Sequence, residues 1–262
     1  MSGRLAGKLA VVTGSTQGLG AAIARLYVRE GARVMLSGRS RDRGEALARE
    51  LGEAARYHES DLTRVEDCKG LIAAALSAFG GIDVLVNSAA DTNRTTVVDF
   101  TPEQFDRQFH LNLRAPLLLA QAALPSLQER RGVVINIGSI NAYIGEARLL
   151  VYSATKGALE TASRNLANAL KYTRVRVFCL NVGWMDSAGE RAIMAKLGHP
   201  PDFLDKAGKT FPNGRLLKPE EVAQACLFLG SDDAAAFSGA VLELEQFPVG
   251  PLSDPSQVKG LN

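Results

Sequence analysis

The chain has 262 residues, 46% of them hydrophobic and 22% charged, with a formal net charge of +2. That balance excludes a highly charged disordered chain and leaves no electrostatic footprint for nucleic acid or an anionic membrane. Three scattered cysteines, Cys68, Cys179 and Cys226, form neither a disulfide framework nor zinc-ligand spacing, so reduced core thiols and no metal are expected.

Residues 1–4 lead directly into the first strand-like run, and no apolar stretch reaches the ~18 residues of a membrane helix. A soluble cytoplasmic protein is expected. Strands are predicted at Leu9–Val12, Val34–Leu36, Val84–Val86, Val133–Ile137, Val175–Leu180 and Ala240–Leu244. Between them the helical period predicts Leu19–Glu30, Ser40–Leu51, Arg64–Phe79, Pro102–Glu129, Tyr152–Lys171 and Pro219–Leu229. Thr101 before Pro102, and Lys218 before Pro219-Glu220-Glu221, mark two helix starts. Continuous apolar strands separated by crossover-length helices predict one doubly wound α/β domain over residues 1–262 with a mostly parallel sheet. Residues 183–215, with Trp184, His199-Pro200-Pro201 and Pro212-Asn213-Gly214, fit neither strand nor core helix and are expected to form a substrate lid.

Thr13-Gly14-Ser15-Thr16-Gln17-Gly18-Leu19-Gly20 follows the first strand and opens the first helix. Glycines there permit a tight turn and close approach of backbone to a pyrophosphate, and the helix N-terminus offers free N–H groups. The second strand ends in Ser37-Gly38-Arg39-Ser40 with no carboxylate to accept the ribose hydroxyls or repel a 2′-phosphate. Arg39 could instead grip a phosphate, which favours NADP(H); an Arg39 that stacks on adenine would leave NAD(H) possible. Tyr152 and Lys156 lie four positions apart on a predicted helix, on one face. An ammonium beside a phenol favours phenolate and brings Tyr152 toward working range as an acid/base. Ser139 ends a strand, where open sheets bind ligands.

These ordered motifs resemble the short-chain dehydrogenases/reductases, whose glycine pattern is T-G-x-x-x-G-x-G. Asp61-Leu62 resembles the family's adenine-contacting pair after the third strand, Asn87-Ser88-Ala89-Ala90 its N-N-A-G segment, and Asn112 its helix asparagine. Ser139 and Tyr152-Ser153-Ala154-Thr155-Lys156 match its serine and Y-x-x-x-K. Ser88 and Ala90 depart from Asn and Gly, Val182 replaces the proline of N-P-G, and Glu245-Gln246-Phe247 stands where many members have D-G-G.

The resemblance implies a Rossmann-type domain and an NAD(P)-dependent oxidoreductase acting on a secondary alcohol or ketone. In that reading Tyr152 is the general acid/base, Ser139 bonds the reacting oxygen, Lys156 holds the nicotinamide ribose, and Asn112 anchors a proton-relaying water. Cofactor contacts are implied for Gly14, Ser15, Gln17, Gly18, Leu19, Gly20, Arg39, Asp61, Leu62, Asn87, Ala89, Tyr152, Lys156, Gly183, Met185 and Ser187. Polar residues Asn93, Arg94, Asn141 and Arg148, with Ser139 and Trp184, are substrate candidates. They suit a sugar, polyol or sugar acid. Tyr143 is expected as a pocket wall. Family members assemble through helices equivalent to Pro102–Glu129 and Tyr152–Lys171, so a homotetramer or dimer is expected, with Leu117, Leu118, Leu119, Ala122 and Leu124 partly facing another subunit. The alternative reading is a catalytically silent NAD(P)-binding sensor or scaffold; the intact tetrad of Asn112, Ser139, Tyr152 and Lys156 argues against it.

Overall fold

The computed structural model describes residues 3–247; the expectation of one domain over the whole chain extends past both ends of that range. Seven strands form one sheet: β1 (Leu9–Val12), β2 (Arg33–Gly38), β3 (Ala55–Glu59), β4 (Val84–Asn87), β5 (Val133–Ile137), β6 (Arg176–Val182) and β7 (Val241–Leu244). Their order is β3-β2-β1-β4-β5-β6-β7, and every pairing is parallel. The sheet is a doubly wound Rossmann-type sheet, parallel throughout rather than mostly so.

Both faces are apolar because alternate residues of each strand serve different helix layers. Ala10, Val12, Val34, Leu36, Val84 and Ile135 face the layer of α1 (Gly18–Arg29), α2 (Arg41–Leu51) and α9 (Pro219–Gly230). Val11, Met35, Leu85, Val134 and Val177 face α3 (Val65–Phe79), α5 (Ala115–Arg130) and α6 (Leu150–Leu170). Each buried Val, Leu, Ile or Met side chain among these contributes about 1.5–3 kcal/mol relative to exposure.

Three features differ from the expectations. β3 reads Ala-Arg-Tyr-His-Glu, and only Ala55 is fully buried, so this edge strand shows no apolar run. The long helix expected over Pro102–Glu129 is α4 (Pro102–Phe109) and α5 joined by a π turn at His110–Arg114. Its start carries the reciprocal Thr101–Gln104 cap. Residues 183–215 are not structureless. They hold α7 (Ala188–Lys196) and α8 (Phe203–Gly208) around a small core of Met194, Leu204 and Leu216, with Trp184, Ile193, Phe203 and Phe211 against it. Arg191 binds Asp186 and Asp205 and fastens the two helices. Among the described residues no helix is long and apolar enough to cross a membrane, and the three cysteines are free and buried.

Candidate active site

Because all strands run one way, their C-terminal ends meet along one edge, and a cavity of about 840 Å³ opens there. It lies where strand order reverses, between β1 and β4.

The glycine loop forms one wall. Gly14 has φ 64°, and a Cβ there would come within 2.8 Å of the Ala89 Cα, so the loops after β1 and β4 can touch only through glycine. The Thr13 hydroxyl fastens the same loops by accepting the N–H groups of Ser88 and Ala89, both at 3.0 Å. At Gly18, φ is 54° and nothing lies within 4 Å of a Cβ position. Helix α1 starts there with no side-chain cap and no acid in its first turn, leaving its N–H groups as an anion site. Gln17, Leu19, Gly20 and Ala89 line the same cavity. Ser15 and Asn87 do not. Ser15 is buried and accepts the Ser37 N–H at 2.9 Å, pinning the loop to β2; Asn87 donates its amide to Asn136 at 2.8 Å, tying β4 to β5.

At the end of β2, Arg39 lines the cavity without an ion pair among the described residues. Arg41 is occupied by Glu45 at 3.3 Å and Glu59 at 3.6 Å, and Arg43 Nη1 donates to Gln17 Oε1 at 2.5 Å. Asp61 and Leu62 line this part of the cavity as well. Burial pushes the Asp61 carboxyl up, but bonds from the Thr63 hydroxyl and N–H, with Arg39 close by, hold it below its ordinary value. The uncapped helix end, the open space at Gly18 and the free guanidinium fit a dinucleotide with its phosphates on this wall.

At the other end Ser139, Tyr152 and Lys156 converge. Ser139 is held by its N–H on Asn181 Oδ1 at 3.1 Å. Its Oγ accepts both the N–H and the amide of Asn141 at 3.2 Å, which leaves the hydroxyl proton to be donated elsewhere. Asn141, expected as a substrate contact, is therefore turned onto Ser139. Lys156 is 3% exposed and its Nζ donates to the Ile137 carbonyl at 2.7 Å; burial pushes its pKa down to about 8. Burial also pushes the Tyr152 phenol above its ordinary value, with the Ser139 hydroxyl and the Arg94 charge opposing and Glu190 adding to the rise. The lowering expected from Lys156 does not lead at this phenol: Nζ is engaged at Ile137 and lies 5.6 Å from the ring centroid. Asn112 sits in the π turn outside the cavity. Its Oδ1 accepts the Asp91 N–H at 2.7 Å, and its Nδ2 donates to the Asp91 carbonyl at 2.9 Å and the Thr155 hydroxyl at 3.1 Å.

The remaining wall comes from the 183–215 segment and the loop after β4. Arg94 Nη2 donates to Glu190 Oε1 at 2.6 Å, and Trp184 Nε1 donates to the same oxygen at 2.9 Å. Trp184 lines the cavity while packing at 6.2 Å on both Phe203 and Phe211. Asn93 lines it too, its carbonyl held by Gln108 at 2.8 Å. Arg148 pairs with Glu146 at 3.3 Å on the exposed rim. Gly183 and Met185 face the cavity, and Ser187 there caps α7 by accepting the Glu190 N–H at 3.1 Å. Tyr143 is not a pocket wall: its hydroxyl donates to Glu243 at 2.7 Å, outside the cavity. His199 stacks on Phe203 at 4.0 Å.

Two acids were missed from sequence. Glu190 follows Ser187 at the S-x-x-E spacing of a helix start, a signal that was available. Glu245 lies against Gly183, where a Cβ would meet its Oε2 at 2.1 Å, and nothing local announces that contact.

The sequence model of a family described as enoyl-(acyl carrier protein) reductase matches residues 14–245. The chain belongs to the short-chain dehydrogenase/reductase family. An uncharacterized oxidoreductase of Thermotoga maritima is 32% identical over 237 residues, 89% of this chain and 92% of that protein. One from Staphylococcus aureus is 33% identical over 226 residues, covering 86% and 91%. The crystal structure of L-sorbose reductase from Gluconobacter frateurii, complexed with NADPH and L-sorbose, superposes with a TM-score of 0.86 at 30% identity, covering 94% of this chain and 98% of that one. This short-chain dehydrogenase/reductase is thus an NAD(P)-dependent oxidoreductase.

The buried lysine predicts a stability signature. A lysine ionises at 10.5 in an unfolded chain and at about 8 here, so below pH 8 the folded state bears the full cost of a buried charge. That cost is relieved as pH rises from 8 toward 10.5, where the unfolded chain binds more protons. The melting temperature of wild type minus that of Lys156→Met should therefore climb across this window. A flat difference would place the Lys156 ammonium in a well-solvated setting.

Proposed function

We propose that this protein is an NADP(H)-dependent oxidoreductase interconverting a secondary alcohol and a ketone on a small polyhydroxylated substrate, a sugar, polyol or sugar acid, with Tyr152 as general acid/base. The observation that carries this reading is the convergence of Tyr152 with a Ser139 hydroxyl whose two acceptor positions are filled by Asn141. Ser139 is thereby committed to donating a hydrogen bond to the substrate oxygen, and Tyr152 exchanges the proton with that oxygen. The nicotinamide cofactor, when bound, supplies or accepts the hydride. The α1 N-terminus and Gly18 would hold its pyrophosphate, Lys156 its nicotinamide ribose through the N–H bonds not spent on Ile137, and Arg39 a 2′-phosphate. The lid over residues 183–215 closes the substrate side with Trp184. The polar side chains Ser139, Arg94 and Glu190 in the lining and the likeness to a sugar reductase support the substrate class.

Three measurements test it. Tyr152→Phe should lower kcat about 10²–10⁴-fold, the share of a positioned acid/base, while the NADPH dissociation constant stays within about twofold; near-normal kcat removes Tyr152 from the chemistry. Arg39→Ala should weaken NADP(H) by about 1.5 kcal/mol, the low end for a charge-assisted bond because Arg39 is exposed and screened. That is roughly tenfold, with NAD(H) unchanged. Equal weakening of both cofactors would show that Arg39 stacks on adenine. We also assign a homo-oligomer: on α5, Leu119 is buried while Leu117 and Leu124 are only half-buried, and Phe105 on α4 is 39% exposed. Sedimentation at micromolar protein should give a dimer or tetramer, and a monomer would refute it.

A further inference from the structure

The Arg94–Glu190 pair stands beside Tyr152 in the substrate half of the cavity and joins two parts of the chain 96 residues apart. Arg94 belongs to the loop after β4, and Glu190 to the first turn of α7. Their side chains are only 21% and 13% exposed. Arg94 Nη1 donates to the Thr92 carbonyl at 3.0 Å, and Glu190 Oε1 takes both Arg94 and Trp184. Among the described residues, Glu190 Oε2 and Arg94 Nε carry no hydrogen bond within the protein. The pair thus presents one acceptor and one donor edge without breaking its own contact.

Two neighbouring arginines are paired in the same way. Arg107 is held by the buried Asp91 at 2.9 Å, and Arg148 by Glu146 at the rim. Lys196, the exposed last residue of α7, also lines the cavity. An anionic substrate entering beside Tyr152 finds the Arg94 charge already neutralised, while the Lys156 ammonium is spent in part on the Ile137 carbonyl. A carboxylate that accepts from Arg94 Nε lies beside the Glu190 carboxylate and is repelled by it, and to take the paired Nη2 it must displace Glu190 and leave a largely buried carboxylate without its partner, which is costly. A vicinal diol meets no such obstacle: one hydroxyl donates to Glu190 and the other accepts from Arg94.

We infer that the Arg94–Glu190 pair is a specificity element that selects uncharged polyhydroxylated substrates and rejects carboxylated or phosphorylated ones. This inference rests on the function proposed above and narrows it, removing sugar acids from the substrate class. Rejection here works through a repulsive, already-paired carboxylate rather than through missing space.

The test compares a neutral ketose with the keto-acid of the same carbon number, assayed with NADPH in wild type and Glu190→Gln across a range of ionic strength. Wild type should prefer the ketose by at least tenfold in kcat/KM, with little salt dependence. Glu190→Gln frees Arg94, so the acid-to-ketose ratio should rise by tenfold or more, and the gain should shrink with added salt. A wild-type preference for the acid, or a ratio unmoved in a variant that still binds NADPH, overturns the inference and leaves the oxidoreductase reading intact. Turnover of neither compound, nor of other sugars and polyols, by wild type overturns both. Should Glu190→Gln fail to fold, the wild-type ratio and its salt dependence decide alone.

Discussion

Parallel pairing obliges every strand of this sheet to end on one edge, and the reversal of order between β1 and β4 sends neighbouring chain connections to opposite faces. The cavity follows from that connectivity before any side chain is considered. Both faces of the sheet are sealed by apolar layers, and the buried polar residues of the strands gather at the strand ends. Thr13, Ser37, Asn87, Asn136, Ser139 and Asn181 are all buried there. The site is the part of the core that connectivity leaves unsealed.

Those buried polar groups hold the loops to one another. Thr13 binds the loop after β4, Ser15 binds β2, Asn112 binds Asp91, and Asn181 binds the Ser139 N–H. Each bond offsets a desolvation cost that would otherwise oppose folding, and each fixes one wall against the next. The most extended chain starts at Ser139. Asn181, which receives its N–H, donates to Glu160 on α6 at 2.8 Å and to Glu243 on β7 at 3.2 Å. The position of Ser139 is therefore coupled to a helix and to the sheet edge. A similar clamp works at the opposite edge, where Asp83 takes the Leu9 N–H at 2.8 Å and both arms of Arg130 at 3.0 Å.

What could be read from sequence follows from how local each signal is. The buried strands, the glycine loop and the Tyr152–Lys156 spacing are written within a few residues and are found where the pattern puts them. β3 escaped because an edge strand with polar Arg56, His58 and Glu59 shows no apolar run. Helices α7 and α8 escaped because Pro200, Pro201 and Pro212 interrupt the helical period while their core depends on Trp184, Phe203 and Phe211 meeting in space. Glu190 acquires its meaning only from Arg94, 96 positions away. Ser15, Asn87 and Asn141 carry motif identities associated with ligands, yet the structure spends their hydrogen bonds on neighbouring protein groups. Motif spacing identifies which loop reaches the site; it does not say which atoms of that loop remain free.

Burial acts on Tyr152 and Lys156 in the same sense, since it favours the neutral form of each. It raises the phenol and lowers the ammonium toward 8, so the pair resists separating charge. The proton exchange proposed for Tyr152 requires negative charge to appear there in turn with the substrate oxygen. The groups that ease this are dipoles and charges already fixed in place: the Ser139 hydroxyl, whose other bonds are filled, and Arg94, whose charge opposes the effect of burial on the phenol. Because they are anchored by Asn181, Asn141 and Thr92, they need no reorganisation when the charge moves. Glu190 tempers Arg94, raising the phenol where Arg94 lowers it. One ion pair thereby borders the substrate half of the cavity and acts with both signs on a phenol whose acidity is governed first by burial and then by Ser139.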